Sequence, residues 1–254
     1  MKNDKASKLK GLIWVLAACV IGVFFAAGLS PLAHAIPWSW EKKLGSAISI
    51  SKTESHFNSR ADAMLQGLVK RLYPIYPDDD RFSIEVHVAD DPDINAYAGL
   101  GGKIIINSGL LNNAQSPEEI AGVLAHEIEH VHSRHIMEGA LIHLCTSEGL
   151  NMIFGKGSTA GFASYLLNMS FTSNQEAKAD EGGLRRLQAA HVDNQGFKNF
   201  FARMEKKSSA TAFLSDHPSN KSRMEMVDKY KVKNPQPIMT KGEWAALRNC
   251  GGGR

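Results

Sequence analysis

The segment His126-Glu127-Ile128-Glu129-His130 sets two imidazoles four residues apart with a carboxylate beside the first. On an α-helix, at about 100° per residue, the two histidines lie about 40° apart and one turn from each other. Two neutral imidazoles so placed can hold one Zn²⁺. The adjacent glutamate then reaches a water at the metal's open position, which is the arrangement for hydrolysing an amide bond. With 10 histidines in 254 residues, chance would produce this pattern somewhere in about 2% of such chains. The competing reading, a histidine-rich solvated helix face, is therefore the weaker one.

The pattern needs a helix, and Ser116-Pro117-Glu118-Glu119 starts one. Ser116 caps, Pro117 suits the first helical position, and Glu119 can reach back to complete a capping box. Ile120, Val123, Leu124, Ile128 and Val131 form an apolar stripe, with Glu127 near its centre and His126 and His130 beside it. The same angular step turns Glu129 and His132 toward solvent. It leaves His135 near the stripe, at the core edge or behind the ligands.

Zinc requires a third protein ligand and an open position. A second helix starting near Ser173 places Glu176 and Asp180 one turn apart, on a face continued by Gly183, Leu184 and Leu187. Spacing leaves two readings open. Glu176 is a metal ligand, or it closes a capping box with Ser173 while Asp180 is a solvated acid favoured by the helix dipole.

Other segments form the scaffold. Ser46 to Tyr73 spaces its apolar residues helically and stops before Pro74 and Pro77, and Asp78 to Asp80 is a turn. Phe82, Ile84, Val86 and Val88 alternate with Ser83, Glu85 and His87, the period of a half-buried strand with His87 on its solvated face. Asn95 to Asn107 reads as a hairpin around Gly101-Gly102. From Ser116 to Lys207 the chain is helical, and Gly139 to Ser170, interrupted by glycines, packs as core instead of crossing a membrane. Strands followed by helices predict an α+β fold, mainly helical, with a small antiparallel sheet. Its edge, either Lys103 to Asn107 or Asn95 to Leu100, is the expected substrate-binding edge strand.

Residues 1 to 35 read as an export signal: Lys2, Lys5, Lys8 and Lys10, an apolar run from Gly11 to Leu29, then Ala33-His34-Ala35. An uncleaved anchor and a lipoprotein site at Leu16-Ala17-Ala18-Cys19 stand as alternatives, and all three put residues 36 to 254 across a membrane. The first 35 residues hold four Lys and one Asp, so the net charge of +3 vanishes beyond them, at 25 basic against 25 acidic residues. No basic patch for nucleic acid remains. Cys145 lies in an apolar stretch and Cys250 in a Gly-rich tail, and nothing in the sequence supports a disulfide between them.

Together these residues resemble the CAAX prenyl protease and HtpX-like zinc metallopeptidases of the glutamate-zincin group. The resemblance runs from about Asn95 to Val227. It comprises Asn95-Ala96 with the Gly-Gly hairpin, Gly109-Leu110-Leu111, His126 to His130, Glu176 with Asp180, and His217-Pro218 followed by Arg223. It implies one zinc per chain held by His126, His130 and Glu176, Glu127 as general base, and Asp180 orienting a histidine ligand or assisting proton transfer. It also implies that His217 stabilises the oxyanion or occupies the open metal position, supported by Arg223, with Asn95 and Ala96 on the substrate side. The bland reading of His217-Pro218 is a turn before the next helix.

The membrane-embedded members carry several apolar spans around the motif, and this chain has only the N-terminal one. It is similar instead to a soluble exported branch, periplasmic proteases of outer-membrane protein quality control, whose substrates are unfolded or misassembled proteins. The N-terminal segment leaves membrane association open. A non-catalytic holdase on a peptidase fold is the rival from another class, opposed by the intact Glu127. A histidine-rich metal buffer would bind several ions weakly instead of one.

Overall fold

Residues 28–47, 59–145, 159–206, 212–217 and 221–251 are described by a computed structural model. In chain order they form α1 (Ser30–Ala35), α2 (Trp38–Ala47), α3 (Ser59–Leu72), a 3₁₀ turn (Asp79–Arg81), β1 (Glu85–Ala89), β2 (Ala96–Ala98), a second 3₁₀ turn (Leu100–Gly102) and β3 (Lys103–Asn107). Then follow α4 (Ser108–Asn113), α5 (Pro117–His132), α6 (His135–Leu144), α7 (Thr159–Leu167), α8 (Ser173–Ala189), α9 (Gln195–Lys206), α10 (Ala212–Asp216), α11 (Lys221–Lys229) and α12 (Lys241–Gly251).

Helix α5 is the centre of the fold, with every residue from Glu119 to Val131 buried. It packs against α8 and α9 on one side and meets β2 on another. Ser116 caps it by accepting the Glu119 N–H. The expected capping box is not completed, because the Glu119 carboxylate accepts from the Gln115 N–H at 3.0 Å and pairs with Arg203 at 2.6 Å.

The sheet has the order β1-β3-β2. The hairpin is present: β2 runs antiparallel to β3, with Ala96 opposite Ile106 and Ala98 opposite Ile104. β1, however, lies parallel to β3 from Glu85↔Lys103 to Ala89↔Asn107, so the sheet is mixed and not antiparallel. β3 is thus central, which its unbroken Ile104-Ile105-Ile106 run, wholly buried, reflects. It has no edge to offer a substrate. The outer edge of β1 is covered by α3, where Asp62 accepts the Val88 N–H at 2.7 Å and Gln66 bonds Ile84 O and Val86 N. Among the described strands β2 alone keeps an edge facing the α5 side of the fold. His87 is not simply solvated, since its Nδ1 lies 3.0 Å from Asp62 Oδ2.

Beneath the C-terminal half of α5 lies a buried charge network that overturns the solvated reading of Glu129 and His132. Arg186 on α8, fully buried, donates to both oxygens of Asp79 at 3.0 and 3.1 Å and to Glu129 at 3.1 Å. His132 faces the same acids, 3.3 Å from Glu129 and 3.5 Å from Asp79. Helical angle alone cannot foresee this, because α8 and the 3₁₀ turn cover the face that would otherwise meet water. Burial raises the Asp79 pKa, but hydrogen bonds from Arg186 and from the Tyr76 and Ile75 N–H groups outweigh it and hold the carboxyl below its usual range. Gly182 makes room, since a Cβ there would lie 2.2 Å from the Glu129 carboxyl carbon.

Most of the N-terminal apolar run, including the Leu16 to Cys19 motif, lies outside the described residues. The Ala33-His34-Ala35 segment belongs to α1, with Ala33 fully buried and α1 packed on α6. Within the described residues no helix is long and apolar enough to cross a membrane. Cys145 is exposed and Cys250 half-buried, and no disulfide joins the two.

Replacing Arg186 by Leu leaves Asp79 and Glu129 buried without a cation, a defect worth about 3–5 kcal/mol. Urea unfolding of Arg186→Leu should show a lowered midpoint at unchanged slope.

Candidate metal centre

Helices α5 and α8 cross closely because Gly183 has no side chain: a Cβ there would stand 3.1 Å from the His126 backbone nitrogen. The capping of α8 decides what Glu176 is free to do. Thr172, not Ser173, is the N-cap, and Gln175 closes the capping box with it. Glu176, one residue further on and 2% exposed, is released from that duty and points at α5.

There it meets three imidazoles. His126 Nε2 lies 3.0 Å from His130 Nε2 and 3.2 Å from His217 Nδ1. Glu176 stands 3.0 Å from His217 Nδ1, 3.4 Å from His130 Nε2 and 3.5 Å from His126 Nε2. One donor atom from each of these four buried residues lies within 4.8 Å of the others, a set able to hold a metal ion. The structure brings together the three ligands expected from sequence and, with them, His217, which follows directly on α10 and which the resemblance places at the oxyanion or the metal's open position.

Glu127 is fully buried, and neither of its oxygens has a hydrogen-bond partner among the described residues. Burial raises its pKa, against the opposing pull of His217, whose Nε2 is 3.4 Å from Oε1, and of His126. The Ala98 backbone on β2 also lowers it, from beyond ordinary hydrogen-bond geometry. Burial holds His130 well below the normal histidine range. Burial likewise works against ionised Glu176, but His126, His130 and His217 around it bring its pKa far down.

Behind the donors stands a second layer. Asp180 Oδ1 lies 2.9 Å from His126 Nδ1. Arg223 clasps Asp180 through Nε and Nη2, reaches Glu176 Oε2 at 2.9 Å and donates to the His217 carbonyl at 3.3 Å. Asn95 and Ala96 lie outside the cluster. The Asn95 side-chain amide donates to Asp216 at 2.9 Å, while its oxygen accepts the Ala96 N–H, so it braces the segment that delivers His217. Ala96 is a buried rung of β2 opposite Ile106.

Sequence reasoning passed over Phe171, whose ring centroid lies 3.8 Å from that of His130. It also passed over Asp216, which joins Asn95 to the His217 segment. Both lie outside the motif helices, where no periodicity marks them.

Three buried histidines and a buried glutamate around one point, with a second buried glutamate beside them, form the arrangement of a metallopeptidase site. A sequence model of Peptidase family M48 matches residues 62–231, and the chain belongs to that family of metal-dependent peptidases. The mitochondrial metalloendopeptidase OMA1 of Bos taurus is 30% identical over 166 residues, covering 57% of this chain and 32% of the relative. Its Schizosaccharomyces pombe namesake is 31% identical over 155 residues, covering 58% and 46%. The β-barrel assembly-enhancing protease of Escherichia coli is 28% identical over 156 residues, covering 53% and 32%. The matches thus span between a third and a half of the length of these relatives.

Asp180→Asn should weaken metal affinity by about 10–100-fold, as loss of a partner behind a ligand does. A chelator competition titration measures it, and unchanged affinity would assign Asp180 to holding Arg223 alone.

Proposed function

We propose that this chain is a zinc-dependent endopeptidase of the CAAX protease and HtpX-like branch, with His126, His130 and Glu176 as protein ligands and Glu127 as general base. The observation that carries the reading is the spacing of the donors, 3.0 to 3.5 Å between neighbouring atoms. A tetrahedron with Zn–N bonds of about 2.0–2.1 Å has edges of about 3.3 Å. Charge agrees with geometry. Glu127, Glu176 and Asp180 crowd one buried volume with Arg223 and His217 facing them, and a divalent cation adds positive charge in a dry interior where uncompensated charge is costly.

Bound zinc would supply Lewis-acid polarisation of the scissile carbonyl and a lowered pKa for the attacking water. Glu127 then takes the water's proton as its oxygen attacks and returns it to the leaving amine. Its position suits this: the carboxylate is desolvated, which raises its basicity, and it adjoins the donor cluster. Asp180 and Arg223 hold His126 and Glu176 in place. His217 takes the remaining corner in this conformation, so substrate binding requires its ring to give way. From a displaced position its imidazole can donate to the oxygen on which negative charge develops.

The edge of β2 is the place where an extended substrate adds a strand, with Ala98 beside Glu127. Main-chain pairing of that kind tolerates varied sequences and suits unfolded or misassembled envelope proteins. Support for that class comes from the E. coli and Yersinia pestis relatives named β-barrel assembly-enhancing proteases and from the export-type N-terminus, which together favour the periplasm.

Glu127→Gln should keep one zinc per chain while chelator-sensitive cleavage of an unfolded protein falls by at least about 10²-fold. Undiminished cleavage by this variant would remove Glu127 from the mechanism.

A further inference from the structure

On the two helical histidines the ring nitrogen remote from the donor cluster faces groups of different chemistry. His126 Nδ1 faces the Asp180 carboxylate at 2.9 Å. His130 Nδ1 faces another imidazole, with His135 Nδ1 at 3.0 Å. At that separation one hydrogen lies between two nitrogens, so one ring donates and the other accepts. The donor cluster decides which. For His130 to present the Nε2 lone pair to a metal, its hydrogen must sit on Nδ1. His135 must then offer a bare Nδ1 and carry its own hydrogen on Nε2.

His135 suits the acceptor role. It is 3% exposed, so its ring meets protein groups instead of water, and its Nδ1 is the atom turned to His130. The rings of His130 and His135 meet edge to face at 5.0 Å, with Phe171 6.1 Å from His135 on the same side of the site.

The backbone contains a device that produces this contact. Five residues along an unbroken helix would turn a side chain about 140° away from His130. The chain instead breaks between α5 and α6 at Arg134, which takes a left-handed conformation (φ 60°, ψ 25°) and lets α6 begin at His135 with its ring folded back. Such a conformation is rare for a residue with a long side chain. Arg134 is held in it by the N-terminal helices: its guanidinium pairs with Glu41 at 2.8 Å, donates to the Ile36 carbonyl at 3.1 Å and lies over the Trp38 ring at 5.7 Å.

We propose that His135 is a positioning residue for the metal, its Nδ1 accepting the Nδ1–H of His130 and so fixing the tautomer and ring angle that present Nε2 to the ion. This rests on the metallopeptidase reading above. It assigns neutral support to His130, in contrast to the carboxylate support of His126. It also ties the N-terminal helices, through Arg134, to the affinity of the centre.

The test uses the full chain loaded with zinc, and separately with Co²⁺ as a spectroscopic probe. His135→Phe keeps a planar ring but no acceptor and should lose about 10–100-fold in zinc affinity and shift the Co²⁺ d–d bands. His135→Asn, whose side-chain oxygen falls near the position of Nδ1, should stay within about threefold of wild type. The proposal is overturned if His135→Phe matches wild type in affinity and spectrum, or if His135→Asn falls as far as His135→Phe. Should either variant fail to fold, long-range ¹H–¹⁵N correlations on the wild type decide: His130 is expected to carry its hydrogen on Nδ1 and His135 on Nε2. A hydrogen on His135 Nδ1 sinks the idea. A wild type that binds no zinc overturns the peptidase reading as well, whereas a zinc-binding wild type matched by His135→Phe overturns this inference alone.

Discussion

The contact between α5 and α8 is made of groups that water would normally keep apart. His126, His130 and Glu127 from one helix and Glu176 and Asp180 from the other are all buried, at a crossing where Gly182 and Gly183 let the helices approach. Ionisable groups taken out of water cost several kcal/mol each unless opposite charge and hydrogen bonds compensate them. The rest of the molecule can be understood as supplying that compensation. Arg223 reaches in from α11 to clasp Asp180 and Glu176, and Arg186 does the same one turn further along for Glu129 and Asp79. Both guanidiniums lie against aromatic faces, Arg223 over Phe201 at 4.4 Å and Arg186 over Tyr76 at 4.6 Å. Each side of the helix crossing is therefore pinned by an arginine held between acids and a ring.

This organisation separates the groups that hold from the group that reacts. The donors and the residues behind them are linked to at least one fixed neighbour, which restricts their rotamers before any ion arrives. Among the described residues Glu127 is the exception, buried beside the cluster without a hydrogen bond and with only His217 Nε2, at 3.4 Å, facing it. A carboxylate in that condition is poorly stabilised as an ion and has a strong affinity for a proton. In a structural residue such a state would be a defect, whereas next to a metal-binding set it matches the needs of a general base.

Access to that carboxylate is governed by elements distant in sequence. The segment ending at His217 is tied to the start of β2 by the Phe213 N–H on the Ile94 carbonyl and by Asn95 on Asp216, and to the other wall of the cleft by the Phe171 N–H on the Asp216 carbonyl. The edge strand and the fourth donor thus share an anchor.

What was legible in the sequence followed from local rules. The His126 to His130 spacing, the Ser116 cap, the hairpin around Gly101-Gly102 and the shared face of Glu176 and Asp180 depend on helical or strand periodicity, which a few consecutive residues determine. Where local rules competed, tertiary packing decided. Thr172 displaced Ser173 as the cap of α8 and released Glu176 from capping. Glu129, outward by angle, became interior and His132 half-buried because α8 and the Asp79 turn cover that face. β1 paired parallel to β3, since strand order depends on how α3 and the chain before β2 pack, and alternation is blind to direction. His135 turns back onto His130 across a left-handed bend at Arg134, whose side chain is held by Glu41 and Ile36, over 90 residues away in sequence. The sequence by itself determined which groups could bind a metal and activate water. The fold alone decided which of them meet, because burial and charge pairing act between segments that share no local pattern.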